Sequence, residues 1–168
     1  GGLDAVVFTG GEATRQPALA AAMAEVRDAG YLVGLHTAGA YPTRLRKLAL
    51  LTDWVGLDIK ALPGDYAQVA GVAAGGARAW EALDILLETG VDLEVRLTVF
   101  PDSKPAEHAL EIAHEVRRRG ATVFALQNAW VEGTREEFAN RPRDGWAEEW
   151  ERLCQELSSV GFDELRCR

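Results

Sequence analysis

The stretch Ala5-Val6-Val7-Phe8-Thr9-Gly10-Gly11-Glu12 sets the reading of the whole chain. An apolar run without polar alternation is what a strand buried on both faces of a parallel sheet requires. Two glycines and a carboxylate then stand where the strand ends. Beyond them the period changes to that of a helix, with Leu19, Met23 and Val26 on one face, Pro17 near its start and Gly30 as its stop.

This unit repeats along the chain. Strands are predicted at Ala5–Thr9, Leu32–Thr37, Trp54–Ile59, Leu93–Val99, Thr122–Gln127 and, weakly, Glu164–Cys167. Helices fall between them. Pro42 opens one, Ala79 to Glu88 forms another, and Pro105 begins a third that ends in Arg117, Arg118, Arg119 and Gly120. A last helix from Trp146 to Val160 sets Trp150, Leu153, Cys154 and Leu157 on one stripe. Ala61–Arg78 and Ala129–Gly145 read as long connections after strands. Such alternation predicts an α/β barrel or an open parallel sheet.

Composition narrows the function classes. Against 26 acidic residues stand 18 Lys and Arg, a net charge of −8 that argues against nucleic acid or an anionic membrane as partner. No apolar stretch is long enough to span a bilayer, and no signal peptide is evident. Two cysteines, Cys154 and Cys167, make no disulfide framework and no zinc or cluster spacing, so the cytoplasm is the expected compartment. The start, without Met and almost at once in a strand, reads as a chain that begins in the middle of a domain.

In α/β folds the working residues gather at the C-terminal strand ends. Here those ends carry Glu12, His36-Thr37, Asp58-Ile59-Lys60, Arg96 with Thr98, and Gln127-Asn128. Gly10 and Gly11 allow a tight turn and close ligand approach, with Glu12 able to accept hydrogen bonds from an ammonium. The bland alternative is an exposed Glu at a helix start. Asp58 and Lys60, two apart, point the same way: either an ion-paired edge or an acceptor and donor for a ribose and a carboxylate. Arg96, within an apolar strand, needs an anion, from a neighbouring carboxylate or from a ligand.

Together these segments resemble the radical S-adenosylmethionine enzymes. Thr9-Gly10-Gly11-Glu12-Ala13-Thr14-Arg15-Gln16 is similar to their SGGEPTLQ segment, and His36-Thr37-Ala38-Gly39 with Pro42 to their DTNG…P strand. Val55-Gly56-Leu57-Asp58-Ile59-Lys60-Ala61, with Tyr66 and Gly71 after it, resembles lDiKa, and Glu94-Val95-Arg96-Leu97-Thr98-Val99, with Pro101, resembles EvRtTv. The likeness covers about residues 5–130 and is nearest the activating proteins of anaerobic ribonucleoside-triphosphate reductase and pyruvate formate-lyase. It departs at Ala13, for the usual proline, and Ala38, for the usual asparagine.

The resemblance implies a partial (β/α)6 TIM-like barrel lacking its first strand–helix unit, one truncated domain over residues 1–168. It implies S-adenosylmethionine held by Gly10, Gly11 and Glu12 at its ammonium, by Asp58 and Lys60 at ribose or carboxylate, and by Arg96 at the carboxylate end. Thr37 and Gln127 would line the pocket. It further implies a [4Fe–4S] cluster, whose CxxxCxxC loop would precede residue 1, and a glycyl radical enzyme as protein partner. The implied function is the C-terminal portion of a glycyl-radical activase. Alternatives are another radical reaction of the deazapurine-synthase type, a cluster-free remnant that binds nucleoside or S-adenosylmethionine, and an unrelated α/β barrel.

Overall fold

A computed structural model of the chain describes residues 2–71, 75–129 and 144–168. Six strands form one sheet: β1 (Ala5–Phe8), β2 (Leu32–Thr37), β3 (Trp54–Asp58), β4 (Asp92–Val99), β5 (Val123–Asn128) and β6 (Glu164–Cys167). Their spatial order is their chain order, and all five pairings are parallel. Helices α1 (Leu19–Asp28), α2 (Pro42–Leu48), α3 (Tyr66–Ala70), α4 (Gly75–Thr89), α5 (Lys104–Glu107), α6 (Ala109–Arg119) and α7 (Trp146–Leu157) lie between the strands. Six predicted strands are therefore present within a residue or two of their expected limits.

Period two divides each strand between two faces. Val33, Leu35, Val55, Leu57, Val95, Leu97, Phe124 and Leu126 are buried together with Met23, Leu45, Leu83, Leu86, Ile112 and Leu157 of the helices, and this is the main core. The other face is concave. Side chains two strands apart meet across it, Arg96 of β4 reaching His36 of β2, and Glu94 of β4 meeting Arg166 of β6. β1 and β6 pair on one side each, so the sheet is a partial barrel.

On the concave face the strand register stacks residues in rows. Thr9 leads to His36, Gly56, Glu94, Val123 and Glu164; above them stand Asp58, Arg96, Ala125 and Arg166. Apolar layers normally fill such an interior; here it is charged, and small residues make room. A Cβ on Gly56 would lie 2.6 Å from the Arg96 Cζ. Gly39 serves the helical side: its φ is +72°, and a Cβ there would lie 2.8 Å from Ala82 Cβ, so α4 rests directly on the turn after β2.

Three details differ from the sequence reading. The helix expected from Pro105 is two helices, because His108, at φ −106° and ψ 15°, breaks the path between α5 and α6. Ser103 caps α5 by accepting from the Ala106 N–H at 3.2 Å. Ala61–Arg78, read as a long connection, holds α3 and the start of α4. The expectation of strands buried on both faces fails at β1, an edge where Val7 is 44% exposed beside exposed Leu3 and Leu32. The connection expected at Ala129–Gly145 lies mostly outside the described residues. Among the described residues no helix is long and apolar enough to cross a membrane.

The packing of Gly56 against Arg96 is directly testable. Gly56→Ala should lower unfolding free energy by about 1–3 kcal/mol, as overpacking does. Gly64→Ala, where a Cβ meets nothing within 4 Å, should stay within about 0.5 kcal/mol of the parent in urea denaturation.

Candidate functional site

At the end of β1, Gly10 and Gly11 both adopt positive φ, +98° and +54°, which a side chain would resist. The chain thereby doubles back, and Glu12 becomes the N-cap of a 3₁₀ turn, Ala13–Arg15. Its carboxylate is heavily engaged. Oε1 accepts from the Thr14 N–H at 3.2 Å, from the Thr14 hydroxyl and from the Thr37 hydroxyl at 2.7 Å, while Oε2 accepts from the Ala38 N–H at 2.9 Å. Thr37, 3% exposed, in turn accepts from the Gly39 N–H at 3.0 Å. Glu12 therefore joins the mouth of β1 to that of β2. Arg44 of α2 closes the turn from outside, donating to the carbonyls of Thr14 and Arg15. At the two departures from the resemblance, Ala13 is buried and Ala38 contributes only its N–H.

Asp58 and Lys60 follow at the mouth of β3. Their backbone is held from three sides. The Ile59 N–H donates to the Arg96 carbonyl at 2.9 Å, the Lys60 N–H to the Tyr66 hydroxyl at 3.0 Å, and Trp80 Nε1 to the Ala61 carbonyl at 3.2 Å. Burial pushes the Tyr66 hydroxyl up to about 12, so it remains a neutral phenol. No side-chain hydrogen bond or ion pair of Asp58 or Lys60 is present among the described residues. Burial raises the Asp58 carboxyl above its ordinary value, and the charges of Arg96 and Lys60 offset this only in part. Of the two readings left open by spacing, an ion-paired edge is not what forms.

Arg96 finds its anion within its own strand. Nε donates to Glu94 Oε1 at 2.7 Å, one guanidinium nitrogen meets His36 Nε2 at 3.1 Å, and its Cζ stands 5.0 Å above the Trp54 ring. Glu94 is 1% exposed and also accepts from Arg166 and, at 2.7 Å, from Arg168. Burial pushes its carboxyl up, but the bonds from Arg96 and Arg168 outweigh this and hold it below the ordinary value. An arginine can only donate, so His36 Nε2 is the acceptor and Nδ1 carries the hydrogen, 3.4 Å from the Thr9 hydroxyl. A chain of contacts thus runs from Glu94 through Arg96 and His36 to Thr9, beside Gly10.

Gln127 stands apart from this group, in a row with Thr98 and Arg168 at the mouths of β4, β5 and β6. The structure thus brings Gly10, Gly11, Glu12 and Thr37 into one bonded unit and sets Asp58, Lys60 and Arg96 on the adjoining rows. Glu94, Arg166, Arg168, Tyr66 and Trp80 carry roles that the sequence reading did not assign. For Glu94 a signal existed: Glu94 and Arg96 share a face at period two. Cys154 and Cys167 lie on α7 and β6 as free thiols; burial, then the neighbouring Cys167, push the Cys154 thiol up to about 12. Among the described residues no three His, Cys, Asp or Glu side chains are arranged to hold a metal.

No protein-family model and no curated protein sequence matches the chain. Solved structures do. A domain of pyruvate-formate lyase-activating enzyme from Bacteroides vulgatus superposes with a TM-score of 0.72 at 13% identity, covering 98% of each chain. Streptococcus suis SuiB bound to S-adenosylmethionine gives 0.74 at 13% identity over 98% of this chain and 39% of its own. TYW1 with a lysine-pyruvate adduct gives 0.71 at 16% identity over 94% of this chain and 51% of its own. The chain therefore spans about half of TYW1 and less of SuiB. It shares the fold of these structures, six parallel strands in one sheet with helices between them.

Burial, then the Arg96 charge, hold the His36 imidazole below its ordinary value of 6.5. The unfolded chain then binds more protons in this range, so His36 adds stability above pH 6.5 that is lost as pH falls through its folded value. Urea midpoints at pH 7 and pH 5 should show this loss, and His36→Gln should flatten the difference.

Proposed function

We propose that this chain is the S-adenosylmethionine-binding portion of a radical S-adenosylmethionine enzyme. The observation that carries the reading is the rigid Gly10-Gly11-Glu12 turn beside the unpaired Asp58 and Lys60. Glu12 spends its carboxylate on Thr14, Thr37 and Ala38. Its contribution to an ammonium is thus to hold the turn in shape, so that the glycine segment can approach closely. Asp58 offers an acceptor for ribose hydroxyls, and Lys60 a cation for the methionyl carboxylate. Thr37 fixes the neighbouring wall. Arg96, bound to Glu94, lends its charge to the carboxylate end from behind. The donor set fits this cofactor: a partly desolvated carboxylate and an unpaired ammonium at one strand mouth.

In the family, S-adenosylmethionine supplies a 5′-deoxyadenosyl radical once reduced by a [4Fe–4S] cluster. The residues of this chain do not fit such a cluster. Its two cysteines, Cys154 on α7 and Cys167 on β6, are free thiols too few for such a cluster, and we derive no step through that group. What these residues do is bind, orient and shield the cofactor.

The finer reading is that the reaction served is glycyl-radical formation on a partner enzyme. Its support is the resemblance of Val55–Ala61 and Glu94–Val99 to the activating proteins, and the matching extent of the pyruvate-formate lyase-activating domain. A synthetic peptide carrying the radical-site loop of a glycyl radical enzyme should bind this chain and not a scrambled control. Equal binding of both would leave only the broader reading.

Isothermal titration with S-adenosylmethionine tests the main proposal. The chain should bind it, and Asp58→Asn and Lys60→Ala should each weaken binding about tenfold, or about 1.4 kcal/mol. Arg46→Ala, at a surface pair with Glu88, should leave it unchanged. Absence of binding, or affinity indifferent to Asp58 and Lys60, would sink the proposal.

A further inference from the structure

The helical side of the sheet carries a charge pattern that the cofactor reading does not use. Residues 13–24 and 29–52 contain no Asp or Glu, although the whole chain has 26 acidic residues against 18 basic ones. The same two segments hold Arg15, Arg44, Arg46 and Lys47. Among the described residues only Arg46 of these finds a carboxylate, Glu88 of α4. An acidic protein thus presents one locally basic region, built from the start of α1 and from α2.

A cavity of about 320 Å³ opens within this region, lined from both helices. Leu48 and the exposed Pro17 and Ala20 give it apolar walls. Arg44 and Lys47 line it together, three residues apart and so on one face of α2. Among the described residues no carboxylate lines it. Arg44 spends one terminal nitrogen on the carbonyls of Thr14 and Arg15, and its Cζ stands 5.2 Å from the Tyr41 ring centroid. Its other guanidinium N–H groups have no acceptor among the described residues, and Lys47 makes no hydrogen bond or ion pair there. Leu50, three residues past Lys47, is 78% exposed, so apolar surface continues along the same segment.

We propose that this surface docks an acidic peptide segment of a partner protein, with an apolar side chain in the cavity and carboxylates on Arg44 and Lys47. Charge complementarity selects the occupant: the two cations lack a counter-charge within the chain, and steering by opposite charge favours an anionic partner. The volume lies at the small end of the range for ligand pockets, about 300–1,000 Å³, and suits a side-chain anchor better than a whole cofactor. A net charge of −8 repels a long polyanion or an anionic membrane, whereas a short acidic segment meets only the local field. None of the lining residues is assigned to S-adenosylmethionine, so the docking surface does not rest on that reading.

The test therefore omits S-adenosylmethionine. Fluorescence anisotropy is read with labelled synthetic peptides: one alternating Glu and Leu, one with Gly for each Leu, and one with Lys for each Glu. The Glu–Leu peptide should bind saturably and the other two should not. Raising the salt from about 50 to about 300 mM should weaken that binding. Lys47→Glu, which reverses an exposed charge, and Ala20→Phe, which fills the cavity, should each weaken it about tenfold. Arg118→Gln, at a surface pair with Glu115 on α6, should bind as the parent does. Arg44 is left in place because it also closes the glycine turn. In the ¹⁵N-labelled chain the backbone signals of Ala20, Lys47 and Leu48 should move with the Glu–Leu peptide, and circular dichroism confirms that each variant is folded. Equal binding of the Glu–Gly peptide would reduce the surface to an ion site. That result, no binding, binding that both variants leave intact, signals that move at Asp58 and Lys60 instead, or preference for phosphatidylserine vesicles or an oligonucleotide would each overturn the proposal, whatever the outcome with S-adenosylmethionine.

Discussion

The concave face of this sheet depends on one buried carboxylate. Glu94 sits in the middle of β4 with 1% exposure, where an unpaired charge would be untenable. Three arginines answer it, Arg96 from its own strand and Arg166 and Arg168 from β6. Replacing Glu94 would leave Arg96, itself 8% exposed, without its anion, a loss of about 3–5 kcal/mol. The arrangement also joins β4 to a strand with which it shares no backbone ladder. Curvature of the sheet is thus written into side chains as well as into strand twist.

Much else follows from that ion cluster. The Arg96 guanidinium stands over the Trp54 ring and packs against β3 at Gly56, where a side chain would collide with it. Its remaining donor selects the tautomer of His36, and His36 meets Thr9 at the base of the Gly10-Gly11-Glu12 turn. The charged interior and the glycine turn are two ends of one bonded path. Asp58, immediately beside Arg96 in the register, feels the same field yet makes no bond to it. A carboxylate held partly out of water without a partner is what a polar ligand can satisfy.

The fold was legible because the strands announce themselves by composition. Runs such as Val33–Leu35 and Val55–Leu57 are buried, as their composition requires, and the glycines and prolines between the strands punctuate the helices. The edge character of β1 was not legible, since Val6 and Val7 look the same whether or not a neighbour covers them. The break at His108 was hidden for a related reason: Leu110, Ile112, Ala113 and Val116 continue the apolar face on which the helix reading rested. At the site, the residue types and strand ends could be read directly, but partners could not. Glu12 was read as an acceptor for an ammonium, and that its carboxylate is already bonded by Thr14, Thr37 and Ala38 could not be read from the sequence. The roles of Arg166 and Arg168 depend on β6 lying two strands from β4, a fact of register that no local pattern carries.

The glycine turn poses a mechanical problem, because it terminates an edge strand. β1 has only four residues and a ladder to β2 alone, and its Val7 is exposed. A ligand-binding turn at the end of so short an edge would fray if nothing but that ladder held it. Glu12 supplies the missing restraint. Its carboxylate binds the end of β2 by two separate donors, the Thr37 hydroxyl and the Ala38 N–H, while Arg44 of α2 grips the carbonyls on the far side. The acid in this turn is therefore an element of construction before it is an element of recognition. Its spacing from the two glycines is set by the reach from one strand mouth to the next.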